Sequence, residues 1–148
     1  MTPTRILVPT DFSDASGRAL EFARSLQKAL GVPMHVLHIH VDPFVREDGT
    51  RPESLWRTSE QRDQYMEGLR TLLQREVDLA FSDKDDKPEC HLVAAGQPVE
   101  QILKTAEEVG ADLICIGTTG KGAIERVLLG SVAQRLVRQS SIPILTVR

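Results

Sequence analysis

Ala111-Asp112-Leu113-Ile114-Cys115-Ile116-Gly117-Thr118-Thr119-Gly120-Lys121-Gly122-Ala123-Ile124-Glu125-Arg126-Val127-Leu128-Leu129-Gly130-Ser131 is the stretch on which the fold turns. Its first six residues are a short apolar run rich in branched side chains, which predicts a buried parallel strand. A Gly-rich loop follows, and a helical pattern opens at Gly130-Ser131. Strand, loop and helix start together make a candidate anion site. Glycine lets the backbone come close to a ligand, and the free N–H groups and dipole of a helix start favour phosphate. The spacing is Gly117, two residues, Gly120, nine residues, Gly130, then Ser131. It is not a Walker A loop: Gly120-Lys121 runs into Gly122, and Cys115 stands where the first glycine belongs. Nor does the chain carry the dinucleotide fingerprint G-x-G-x-x-G; its first strand runs into Thr10-Asp11-Phe12-Ser13. Taken alone, the glycines also fit a plain strand-to-helix loop.

The rest of the chain alternates strand and helix patterns on both sides of this stretch. Ile6-Leu7-Val8-Pro9 reads as a strand that ends near Pro9, which has no N–H to give a ladder. After the turn Thr10-Asp11-Phe12-Ser13-Asp14, a helix carries Ala15, Ala19, Phe22, Ala23, Leu26 and Leu30 on one face, with Gly31 closing it. Met34 to Val41 is a second strand. Residues 42 to about 55 hold Pro43, Gly49 and Pro52 and read as a long mobile loop. A helix is predicted from about Leu55 to Phe81, with Met66, Leu69, Leu72, Leu73, Val77 and Ala80 inside. A charged connection, 82–88, leads to a strand at Cys90–Ala94. Pro98 opens a helix whose face is Val99, Ile102, Leu103, Ala106 and Val109, and Gly110 caps it. The last helix places Val132, Ala133, Leu136 and Val137 inside, and Ile142 to Val147 is the final strand.

The order βαβαβαβαβ predicts one α/β domain over 1–148, an open parallel five-stranded sheet with helices on both faces. Ligands on such sheets sit beyond the C-terminal strand ends, where the winding reverses. With the first and fourth strands as neighbours, the Pro9–Asp11 turn faces the glycine loop across one crevice. At 148 residues the chain is long enough for a sizeable core. A net charge of −3 argues against a general nucleic-acid binder. No run of apolar residues is long enough to span a membrane, and Met1-Thr2-Pro3-Thr4-Arg5 lacks a signal-peptide core, so cytoplasm is the expected compartment. Cys90 and Cys115 sit in or beside predicted strands without a C-x-x-C pair and read as reduced, mostly buried thiols.

The glycine spacing, the opening Ile6-Leu7-Val8-Pro9-Thr10-Asp11-Phe12-Ser13 and the closing Ile142-Pro143-Ile144-Leu145-Thr146-Val147 resemble the universal stress proteins over essentially the whole chain. The resemblance is to the branch that keeps the glycines and binds ATP. It implies a Rossmann-like sheet of order 3-2-1-4-5 and a homodimer paired through the last strand. It implies that Asp11 contacts the adenosine part of the ligand, with Pro9 and Thr10 lining the same place, and that the backbone of Ile39 reads the adenine edge. Gly117 and Gly120 would lie under the ribose and phosphates, and Gly130, Ser131 and Val132 would receive the phosphates. ATP is the implied ligand, with Mg²⁺ or Mn²⁺ held by its phosphates. His40 departs from the family pattern, which has a single histidine at His38.

Each of these residues also has an ordinary reading. Asp11 suits an Asx turn or an N-cap, Ser131 suits a helix cap, and Lys121 is either a phosphate contact or a solvated loop lysine. His38 and His40 share a strand face at a spacing that permits two metal ligands, but no third ligand is evident, so no metal site is assigned. No catalytic residue is assigned either: Asp11 and Glu125 are the only carboxylates to name, and nothing aligns them with a γ-phosphate. The expected function is therefore a nucleotide-dependent regulator with weak or no hydrolysis. The alternatives are a nucleotide-independent dimeric interaction module and a partner-activated ATP hydrolase. A phosphoacceptor module is disfavoured, because the third strand ends in Val93-Ala94-Ala95-Gly96 and not in an aspartate.

Overall fold

The computed structural model describes residues 2–41, 58–81, 87–93, 96–118 and 129–148. Strands and helices alternate as β1 (Ile6–Thr10), α1 (Asp14–Leu30), β2 (Met34–Ile39), α2 (Ser59–Ala80), β3 (Glu89–Val93), α3 (Pro98–Val109), β4 (Leu113–Gly117), α4 (Ser131–Gln139) and β5 (Ile144–Val147). All pairings are parallel, and the five strands lie in the order β3-β2-β1-β4-β5. The fold and strand order are those expected. The 42–55 loop, most of the 82–88 connection and the end of the third strand at Ala94 lie outside the described residues.

The strands are apolar almost throughout because both faces are covered, yet alternate residues still serve opposite layers. Ile6, Val8, Met34, Val36, Leu113 and Cys115 pack with Ala19, Leu20 and Ala23 of α1 and with Leu73, Val77 and Phe81 at α2. Leu7, Leu37, Ile114 and Ile116 pack with Val99, Ile102 and Ala106 of α3 and with Ala133 and Leu136 of α4. Helix ends follow local chemistry. Ser13 caps α1 by accepting from Ser16 N, and Gly31 closes it in the left-handed region at φ 66°. Pro98 opens α3, and Gly110 closes it at φ 70°.

Three helix faces differ from the periodicity reading. Phe22 is 46% exposed, because the buried stripe of α1 centres between Ala19 and Ala23, about 90° around the helix from it. Leu30, also placed inside, is exposed in the last turn, where burial tapers. On α2 the stripe is Leu69, Leu73 and Val77, spaced by four, and Leu72 falls outside it. On α4 only Ala133 and Leu136 are buried, and Val137 is 53% exposed.

The sheet is fastened at the N-terminal ends of its two central strands. The Asp112 carboxylate accepts from Thr4 N, Thr4 Oγ1 and Arg5 N at 2.9, 2.8 and 2.9 Å. The Arg5 N–H contributes most to holding this carboxyl below its ordinary range, with Thr4 adding to it. The clamp sits one residue before the Ile6–Leu113 pair and so fixes the register of β1 against β4.

Gly68 in α2 has no such structural task. A Cβ built there meets nothing within 4 Å. Gly68→Ala should therefore stabilise the fold by about 0.5–1 kcal/mol through helix propensity alone. A thermal melt should show a rise of roughly 1–4 °C. A fall would mean that this helix face is covered.

Candidate functional site

β1 and β4 lie side by side but send their chains to opposite layers: α1 packs on one face of the sheet and α4 on the other. This is the reversal of winding at which open parallel sheets leave a crevice. The registers show where it opens. β1 pairs with β2 from Ile6 through Thr10, but with β4 only at Ile6 and Leu7.

Pro9 accounts for the difference. Arg5 O accepts from Leu113 N on the β4 side, and Ile6 N donates to Pro33 O on the β2 side. Backbone groups alternate sides along a strand, so Leu7 and Pro9 face β4. The N–H that would carry the β1–β4 ladder past Leu7 belongs to a proline and does not exist. The strand itself runs on to Thr10 and does not end at Pro9, because its pairing with β2 uses the other edge.

At the end of β1 the chain turns through Asp11, Phe12 and Ser13. Asp11 Oδ1 accepts from Ser13 N at 3.1 Å, the Asx turn that the sequence allowed. Phe12 has φ 61°, which only a firmly held non-glycine residue adopts. What holds it is Thr10, whose Oγ1 accepts from Phe12 N at 3.1 Å. The same hydroxyl lies 2.8 Å from Glu76 Oε2, to which it donates, and 3.0 Å from Ser16 Oγ. On the other side, His38 Nδ1 lies 2.9 Å from Thr10 O. A carbonyl only accepts, so this nitrogen carries the proton. The Phe12 ring lies against His38, with centroids 4.2 Å apart. Glu76 is a site residue that sequence reading missed. It sits on α2, 66 residues from Thr10, and no local pattern marks it.

Gly117 ends β4 against the first turn of α1. A Cβ there would lie 2.7 Å from both C and O of Ala15 and 2.9 Å from Ser16 N. The described contact of this glycine is thus with the α1 backbone. Beyond it, Thr118 N donates to Val147 O, and Gly130 N donates to Thr118 O. The second bond brings the start of α4 back to the end of β4. Gly130 is the N-cap, and among the described residues no side chain caps this helix. The N–H groups of its first turn are therefore left for solvent or a ligand. Ser131 is exposed there, and Val132 is half-buried against the core of the α3 and α4 layer. Ile39 closes β2 half-buried. The structure thus gathers Pro9, Thr10, Asp11, Gly117, Gly130, Ser131 and Val132 around the split between β1 and β4, with Ile39 one strand away. Gly120, Lys121 and Glu125 lie outside the described residues.

His38, in β2, and His40, just beyond it, meet different partners. His38 is engaged with Thr10 and Phe12, while His40 lies edge-on to Tyr65 at 5.0 Å. Cys115 is buried and donates to Ala19 O; burial pushes its thiol up to about 12. Burial, aided by nearby Asp78 and Glu89, also raises Cys90. Both thiols stay protonated at neutral pH and are poor nucleophiles.

Known proteins resemble this chain along its length. The model of the universal stress protein family matches residues 3–148. A universal stress protein of Methanocaldococcus jannaschii is 31% identical over 147 residues, spanning 97% of this chain and 81% of the relative. YxiE of Bacillus subtilis, also a universal stress protein, is 31% identical over 150 residues, spanning 97% and 98%. Among solved structures, a universal stress protein in complex with cAMP superposes with a TM-score of 0.70 at 24% identity, covering 100% of this chain and 98% of its own. The Archaeoglobus fulgidus protein in complex with dAMP gives 0.67 at 24% identity, covering 100% of both. At that identity the structures establish the shared fold. The family match over residues 3–148, with close to a third of residues shared along nearly the whole chain, places this protein in the universal stress protein family.

Proposed function

We propose that this chain is an ATP-binding regulatory protein of the stress response, with weak or no hydrolysis of its own. The observation that carries this reading is the start of α4. Among the described residues it has no side-chain cap, and the Gly130–Thr118 hydrogen bond brings it to the end of β4, beside the β1–β4 split. Backbone N–H groups there, with the Ser131 hydroxyl, fit phosphate oxygens. In this reading Asp11 accepts from ribose hydroxyls, and the backbone of Ile39 reads the adenine edge. Gly120 and Lys121 would close the loop under the phosphates, where a divalent ion would ride on the nucleotide. Two relatives solved with cAMP and dAMP support an adenine nucleotide as the ligand class.

Weak turnover is read from the described carboxylates beside the split. Asp11 is drawn into its Asx turn, and Glu76 is tied to Thr10 beneath the turn. Neither is posed as a base toward a γ-phosphate. The protein then acts by presenting a different surface to a partner when nucleotide is bound. We place it in the cytoplasm; no described helix is long and apolar enough to cross a membrane.

The test is thermal melting with and without ATP and Mg²⁺, beside Gly130→Asp. A site filled to about 100 times its Kd adds roughly 2.7 kcal/mol. For a domain of this size that is about 5–10 °C in Tm. The aspartate is a good N-cap and should leave the nucleotide-free melt equal or slightly higher, while its charge repels phosphate. A shift retained in full by the variant would move the nucleotide away from α4. No shift in refolded wild-type protein would leave the interaction-module reading.

The dimer is proposed through β5. It is an edge strand, and Ile144, Leu145 and Val147 are only half-buried there. Sedimentation should give twice the chain mass at micromolar concentration, and a monomer would remove this part of the proposal.

A further inference from the structure

A second cluster of chemistry-bearing side chains lies on the opposite layer, lower on the sheet. His35 of β2 is paired with Glu89 of β3, and His91 of β3 with Leu37. Parallel pairing puts His35, Glu89 and His91 on one face, the α3 and α4 side, where Leu7 and Leu37 also lie. His35 Nδ1 is 2.9 Å from His91 Nε2 and 3.5 Å from Glu89 Oε2; His91 Nε2 is 4.0 Å from Glu89 Oε1. We propose that these three residues form a binding site for one divalent transition-metal ion of the zinc type.

The geometry and donor set argue for it. Bonds of about 2.0–2.1 Å at tetrahedral angles set neighbouring donor atoms roughly 3.3 Å apart. The two nitrogens and the Glu89 carboxylate lie near that spacing, with one donor atom from each residue within 4.8 Å of the others, so side-chain rotations complete one face of a tetrahedron. Two imidazoles and a carboxylate select zinc, cobalt or nickel over the oxygen-seeking magnesium and calcium. The ligands stand on two hydrogen-bonded strands, and His35 is buried, so its ring is already held. Glu89 and His91 are 69% and 24% exposed at the sheet edge, which gives an ion an entry path and leaves room for water in the fourth position. Without metal, one proton bridges the two nitrogens. On binding, the metal takes its place, and the proton moves to the far nitrogen of the same ring. The ion would tie edge strand β3 to β2. The site is independent of the nucleotide reading: His35 precedes His38 by three positions and faces the other layer.

The experiment uses the full chain, stripped with chelator and free of nucleotide so that no phosphate holds metal. Cobalt(II) is the first probe and zinc the competitor, with binding followed by visible absorption and calorimetry. One cobalt per chain is expected, with intense four-coordinate bands that zinc abolishes. His91→Gln, at a half-buried position, and Glu89→Gln, at an exposed one, should each weaken binding by at least about tenfold while circular dichroism stays native. Cys90→Ser should bind as wild type does. Unchanged affinity in both ligand variants would overturn the proposal, as would thiolate charge-transfer bands lost in Cys90→Ser. Absence of cobalt bands at large excess would also overturn it and leave a hydrogen-bonded histidine pair.

Discussion

Thr10→Val is expected to cost about 2–4 kcal/mol of stability, because it removes two hydrogen bonds at once, one of them to a carboxylate. Valine matches threonine in shape and is at least as good a strand former, so packing and propensity predict no loss. The whole effect must come from the hydroxyl. Phe12 N would lose the acceptor that holds it at φ 61°, and Glu76 Oε2 would lose its donor. A neutral hydrogen bond is worth about 0.5–1.5 kcal/mol and one to a charged group about 1.5–3 kcal/mol, and the partial exposure of Glu76 trims its share. At about 2–4 °C per kcal/mol, the melt should fall by roughly 5–15 °C. Thr10→Ser keeps the hydroxyl and should recover most of this. A double-mutant cycle with Glu76→Ala should show coupling of at least ~0.5 kcal/mol. A neutral Thr10→Val would mean that the turn is held by something else.

Gly117→Ala is the second large effect. The added carbon would meet the carbonyl group of Ala15 at 2.7 Å. The obstacle is helix backbone, which cannot swing aside as a side-chain tip would. α1 must lift away from β4, and overpacking of this kind costs about 1–3 kcal/mol. Melting should drop by roughly 3–10 °C, against the rise expected for Gly68→Ala. If nucleotide binds in the split, the alanine should also weaken it, since the turn from Asp11 to Ser13 leads directly into α1. Equal stability of Gly117→Ala and wild type would show that α1 can move without penalty.

The strands and most helix ends were legible because each leaves a local mark; the strand order leaves none and came from the family resemblance. Apolar runs end in Pro, Gly or Asp, and glycines close α1 and α3 in the left-handed region. Faces were read less well. Phe22, Leu72 and Val137 satisfy a helical spacing, yet the stripe that meets the sheet is narrower than their hydrophobicity implies. Contacts far apart in sequence left no local mark. Glu76 reaches Thr10, Asp112 clamps Thr4 and Arg5, and His35 meets His91, each across dozens of residues. Periodicity within one element cannot report which side chain of another it will touch. Pro9 misled in a different way: it read as a stop for its strand, when only one edge of the strand stops there.

That one-sided stop bears on how anything enters the crevice. Zipping two neighbouring strands to their full length would be the default of a parallel sheet, and a guest would then have to pull the rungs apart. Here the ring nitrogen of Pro9 forbids the next rung whether or not a guest is present. The doorway is a covalent property of the chain, so occupancy need not be bought with broken main-chain bonds between β1 and β4. Replacing Pro9 would give the protein, for the first time, a door that is able to shut.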